Sequence, residues 1–205
     1  AANAAANLVP HARQRTIKWR CATMFAAAGV AGAYAGSSLG KALDGQKLLF
    51  LFALLMLLVG GLMLKRRGDP GNPDVQCQRE NAPKVIGYGG VTGLFSGFFG
   101  IGGGFLIVPG LMASTGMPMR NAVGSSLVAG TAFGLTAAPN YAFSGLVDWQ
   151  LAAAFIGGGV IGGFAGAALS HRLSAHKGAL NMIFAVLIFA VAAYMLWRSA
   201  AAILN

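Results

Sequence analysis

Four glycines and three hydroxyls are the groups in this chain whose types and spacing could do chemistry. Gly100, Gly102, Gly103 and Gly104 interrupt an apolar stretch that runs from residue 85 to 116, and Ser125, Ser126 and Thr131 follow on the next one. Glycine costs about 1 kcal/mol per helical position relative to alanine, so the cluster predicts a helix to about Phe99, an unwound turn, and a short helix from about Phe105. Such a turn leaves backbone N–H groups unpaired. The start of the short helix adds partial positive charge, placed near the middle of the membrane, and both features suit a small anion. Pro109 would help set the short helix, and the hydroxyls of Ser125, Ser126 and Thr131 would complete an anion shell without fixed charge. No Asp or Glu lies inside the apolar runs, which argues against a cation pathway or a carboxylate proton relay. Plainer roles exist for the same residues: glycines pack membrane helices closely, and serines bond back to their own helix. The Gly-x-Gly-Gly-Gly string is not a dinucleotide fingerprint, because no strand precedes it and no acidic partner follows.

The elements that must position these groups are apolar and long. Charged residues make up 10% of the 205 residues, against roughly a quarter in a soluble domain. Uncharged runs cover 21–40, 48–64, 85–119, 121–147, 149–170 and 178–197. A helix needs about 20 mostly apolar residues to cross a bilayer core, so the pattern predicts an all-α, polytopic transmembrane bundle. Too little polar sequence remains to cover a water-facing globule. Within the bundle, 21–40 carries small residues at helical spacing, 48–64 is leucine-rich and lipid-facing in character, and Ser114-Thr115-Gly116 closes the short helix before Pro118. Residues 65–84 form a polar loop rich in Pro, Gly and charge.

One stretch is written twice. Residues 17–47 realign without a gap on 147–177: Trp19 on Trp149, Phe25 on Phe155, Gly29, Gly32 and Gly36 on Gly159, Gly162 and Gly166, and Lys47 on Lys177. Two homologous halves in an apolar chain are a transporter signature, with the substrate site between them. The halves read as 1–65, the remainder of a first repeat whose start is missing, a polar inter-repeat loop at 66–84, and a second repeat at 85–205. Residues 1–10 accordingly read as the end of a helix. If 85–116 is a re-entrant hairpin, the halves are inverted, and Lys41, Lys47 and Arg198 alone of the 15 Lys and Arg fall on the outer face. A single crossing makes the charge split less uneven, so the positive-inside rule leans to the inverted arrangement.

The net charge of +10 sits at helix ends and loops, where membrane orientation explains it without nucleic acid. Cys21 and Cys77 show neither metal-ligand spacing nor a disulfide pattern and read as unpaired; no metal or cofactor is called for. His11, His171 and His176 lie outside the runs, as solvated or headgroup-facing side chains. Trp19, Trp149 and Trp197 read as interface anchors. Asn3, Asn7 and Asn140, near apolar helix ends, serve equally as polar glue or pore lining.

The second half resembles the sulfite exporter TauE/SafE family. The resemblance is carried by GVTGLFSGFFGIGGGFLIVPGLMASTGMPMRNAVGSSLVAGTAFG (90–134) and YAFSGLVD (141–148), and above all by the glycine-rich string, its proline and Asn-Ala-Val-Gly-Ser-Ser. Residues 1–65 resemble the rest of the family's first half, without its glycine signature. The resemblance implies a multi-pass permease of the cell membrane, the bacterial inner membrane, for small sulfur-containing anions such as sulfite or sulfoacetate, working by alternating access between the repeats. A non-transporting structural subunit is the alternative from another class. An intramembrane serine protease built on Ser96 would need a basic partner within the spans, and the sequence offers none.

Overall fold

The computed structural model describes residues 2–65, 71–72, 75, 77, 81–100, 104–173 and 179–204. Among them are eight helices and no strand: α1 (Ala2–Arg13), α2 (Trp19–Gly40), α3 (Gly45–Lys65), α4 (Ala82–Phe98), α5 (Gly104–Thr115), α6 (Met119–Phe143), α7 (Trp149–Leu173) and α8 (Ala179–Leu204). Gly45–Leu64, Met119–Phe143 and Trp149–Gly166 are long and apolar enough to cross a membrane, and Gly104–Thr115 and Met182–Trp197 are shorter apolar helices.

The break between α4 and α5 falls where the glycines predict it. Phe99 caps α4, and Gly100 takes φ +68°, a left-handed conformation that glycine adopts without strain. Beyond the break the chain doubles back. A Cβ on Gly110 would lie 2.8 Å from Thr92 Oγ1, although the two residues flank the break at similar distances along the chain. At the other end of the pair, Gly116 accepts a hydrogen bond from Asn72 N at 2.9 Å, and the buried Met117 belongs to one cluster with Val85, Cys21 and Cys77. Thus α5 finishes where α4 and α2 begin.

Small residues make the centre of the molecule. Helices α2 and α4 run in the same direction with their backbones in contact. A Cβ on Gly93 would meet Gly29 Cα at 2.6 Å, one on Gly97 would meet Ala33 Cα at 2.8 Å, and one on Gly32 would meet Leu94 N at 2.8 Å. In a membrane no hydrophobic drive pulls helices together, so this close approach supplies the van der Waals contact that does. Helix α6 lies on α2 in the same direction, from Thr16 against Gly124 to Lys41 against Asn140. Phe25 and Phe133 fill the space between them, both fully buried with ring centroids 6.4 Å apart.

The outer helices join the two halves of the sequence. Helix α3 packs on α8 through Met56, Met63, Ile188 and Ala192, and turns Leu54, Leu58 and Leu62 outward. Helix α1 lies along α6 with its last turn at the start of α6. Helix α7 follows α1 in the same direction, with Asn3 at Phe155 and Gly159 and Asn7 at Gly163, so α7 runs opposite to α2.

The expectation of unpaired cysteines is corrected. Cys21 and Cys77 form a disulfide, with Cα atoms 5.3 Å apart and both residues 1% exposed. The bond joins the first turn of α2 to the polar loop before α4. Fifty-six positions of separation hid it in the sequence, since only the fold brings Cys77 to the first turn of α2.

Candidate functional site

The glycine break lies at one end of the bundle, not at its middle. Gly100 packs against Tyr141 in the last turns of α6, where an added Cβ would meet Cε2 at 3.4 Å. Tyr141 donates its hydroxyl to the carbonyls of Gly97 (3.0 Å) and Phe98 (3.2 Å), the last carbonyls of α4. Gly40, at the end of α2, meets the same tyrosine hydroxyl, 2.7 Å from a built Cβ. The ends of α2, α4 and α6 therefore converge on the break. The physical reason is length: 17 residues give α4 about 25 Å, close to a full bilayer core, and so carry the turn past the midplane.

The ends of these helices carry two unlike walls of side chains. The apolar wall is aromatic: Phe52 of α3 packs on Phe99 (5.3 Å between centroids) and edge-on to Phe105 (5.5 Å), while Phe99 stacks on Phe95 and meets Phe98 edge-on. The other wall is polar. Lys41 Nζ donates to Asn140 Oδ1 (2.6 Å), to Asn140 O (3.3 Å) and to Ser144 Oγ (3.1 Å), and Asn140 Nδ2 donates to Ser37 Oγ at 2.6 Å. Deeper along α4, one turn before the break, Ser96 is 1% exposed and its hydroxyl has no hydrogen-bond partner.

The residues singled out from the sequence divide between the two ends of the bundle. Gly100 and the exposed Gly104 flank the break; Gly102 and Gly103 lie outside the described residues. Pro109 sits inside α5 and faces a cleft of about 700 Å³ between α3 and the α4–α5 pair. That cleft is lined almost wholly by apolar side chains such as Leu58, Val91 and Phe95, so it offers an anion little. Ser125 is fully buried at the far end, where it accepts the Lys18 N–H at 2.9 Å and caps the start of α2. Sixteen residues, about 24 Å of helix, separate Ser125 from Tyr141. Ser126 and Thr131 donate back to Val123 O (2.8 Å) and Leu127 O (2.7 Å), so their protons are already spent within α6. The structure thus does not gather these hydroxyls around Gly100. Lys41, Asn140, Tyr141 and Ser37, which it does gather there, carried no motif. The sequence marks Asn140 as a polar residue near a helix end, Lys41 as an outer-face cation and Tyr141 as the start of the family-like stretch 141–148, none of them as a site residue.

Asn3 and Asn7 resolve as a seam between α1 and α7. Asn3 Nδ2 donates to Phe155 O at 3.2 Å, Asn7 Nδ2 donates to Asn3 O at 2.8 Å, and the two Oδ1 atoms are buried without partners. Gly159 and Gly163 make room for the two amides. No group of three or more His, Cys, Asp or Glu suited to a metal occurs among the described residues.

Residues 1–195 match the sulfite exporter TauE/SafE family. The chain belongs to that family. It is 49% identical over 204 residues to a probable membrane transporter protein of Xylella fastidiosa (strain 9a5c), covering 97% of this chain and 76% of the relative. A probable membrane transporter protein of Xylella fastidiosa (strain Temecula1 / ATCC 700964) is 50% identical over 198 residues, covering 96% of this chain and 76% of that protein. The probable membrane transporter protein YunE of Bacillus subtilis (strain 168) is 26% identical over 178 residues, covering 78% of this chain and 64% of that protein. No solved structure matches the chain. Family membership and helices of spanning length together make this a membrane transporter.

Proposed function

We propose that the protein is a multi-pass permease of the bacterial inner membrane that moves small sulfur-containing anions, sulfite or a sulfonate such as sulfoacetate. The observation that carries the reading is the broken α4–α5 pair, whose glycine turn meets the polar ends of α2 and α6. The free N–H groups at the start of α5 point partial positive charge at whatever enters there. Ser96 adds a buried, unspent hydroxyl donor one turn below. A structural subunit would have no use for this arrangement, and an enzyme would need a base near Ser96.

The two repeats, 1–65 and 85–205 joined by the 66–84 loop, move against each other in this reading. The opposite directions of α2 and α7, the duplicated helices, support an inverted arrangement with a re-entrant α4–α5 hairpin and alternating access between the halves.

Flux of sulfite and sulfoacetate into proteoliposomes tests the reading, with Gly104→Leu as the probe. A Cβ at Gly104 meets nothing within 4 Å, so the variant should fold and insert normally. Its bulk at the first turn of α5 should hold the anion off a backbone N–H and lower sulfite flux about tenfold or more, the size of one charge-assisted hydrogen bond. Normal flux in Gly104→Leu would remove the site from the break, and absence of flux for any small anion in the wild type would sink the permease reading.

A further inference from the structure

We infer that Lys41 is the anion-recruiting group of the permease, a positively charged lure held at the glycine break. The inference rests on the anion reading above and names the group that gives it charge selectivity.

The backbone groups of a glycine turn cannot by themselves distinguish an anion from a neutral polar solute at a distance. A fixed positive charge at the entrance can, because potentials at a low-dielectric mouth raise the local concentration of the opposite charge. Lys41 has the required placement. It directly follows Gly40, which abuts Phe98 O and the Tyr141 hydroxyl, and Tyr141 in turn covers Gly100. Its ammonium is partly buried and held by Asn140 of α6 and by Ser144, which caps that helix, and this fixes a side chain that would otherwise sweep through solvent.

The partners are neutral. All three acceptors are amide, carbonyl or hydroxyl oxygens, and no carboxylate pairs with Lys41 among the described residues. Asp44, the nearest acid in sequence, is exposed and makes no ion pair with it. A lysine whose only task was to tie α2 to α6 would be served as well by a carboxylate partner, which would cancel its charge. Here the charge is oriented and left uncompensated. The sequence assigned Lys41 only to membrane orientation, as one of three cations on the sparse face.

Sulfite uptake by the intact protein in proteoliposomes, measured for wild type, Lys41→Gln and Lys41→Arg, tests this. Lys41→Gln should raise the KM for sulfite about tenfold with a much smaller change in maximal flux, and Lys41→Arg should restore the KM most of the way. Wild-type KM should also rise as salt goes from about 10 to 300 mM, since the Debye length shrinks from about 30 Å to under 10 Å over that range. This second measurement needs no variant and stands even if Lys41→Gln fails to fold. An unchanged KM in folded Lys41→Gln, or a wild-type KM indifferent to salt, overturns the role of Lys41 while leaving the permease reading intact. Wild-type protein that moves no anion overturns both.

Discussion

At the scale of single residues, glycine does two separate jobs here, and the structure tells them apart. Gly100 serves a turn, while Gly29, Gly93 and Gly97 serve the approach of α2 to α4. A Gly93→Ala change would drive a Cβ against the backbone of Gly29, which cannot rotate away as a side chain can. It should cost about 1–3 kcal/mol, the usual range for overpacking. Gly87→Ala, on the same helix with nothing within 4 Å, should be neutral or stabilising by up to about 1 kcal/mol through helix propensity. Thermal unfolding of the two variants in detergent checks this, and equal midpoints would contradict the assignment. Serine divides in the same way. Ser125 caps α2, Ser126 is tied to its own helix, and Ser96 alone of the three is left without a partner.

The element scale is governed by what clamps helix ends. The end of α2 is tied to α6 by Lys41, Asn140 and Ser37, and to α4 through Tyr141. Its start is tied by Ser125 of α6 and by the disulfide to Cys77. The disulfide closes a long segment, including α2 and α3, so it removes much conformational freedom from the unfolded chain. Reduction, or Cys77→Ser, should therefore cost about 2–4 kcal/mol and lower the unfolding midpoint. Melting curves with and without reductant read the effect. Free thiols titrated in denatured, unreduced protein would show instead that the bond does not form.

On the scale of the whole molecule, the decisive relation is that α2 and α7 run oppositely although their sequences match. In the inverted arrangement proposed above, the starts of α2 and α7 lie on opposite faces of the membrane. Arg20→Cys and Gln150→Cys, introduced singly, should be labelled by an impermeant maleimide from opposite sides of sealed vesicles. Labelling of both from one side would establish parallel repeats and remove the structural basis for alternating access as drawn here. The same inversion would put the glycine break on the face that carries few cations, where Lys41 stands out.

The amino-acid sequence alone determined the class of molecule, its helices and the break within 85–116. These depend on local quantities: apolar run length, glycine's cost in a helix, the stop at Gly116 and Pro118. It also shows the match of 17–47 with 147–177, because matched residues are visible without knowing where they point. Which side chains lie beside the break was decided only by tertiary structure. Ser125 and Gly100 are 25 positions apart in sequence and face opposite ends of the bundle, whereas Lys41 and Asn140 are 99 apart and touch. Likewise the pairing of Cys21 with Cys77 is set only by the fold. A helix sets the height of each side chain, but which side chains meet at one height depends on the direction and offset of its neighbours. Those are fixed by backbone contacts such as Gly93 on Gly29, which leave no periodic trace in either helix read by itself.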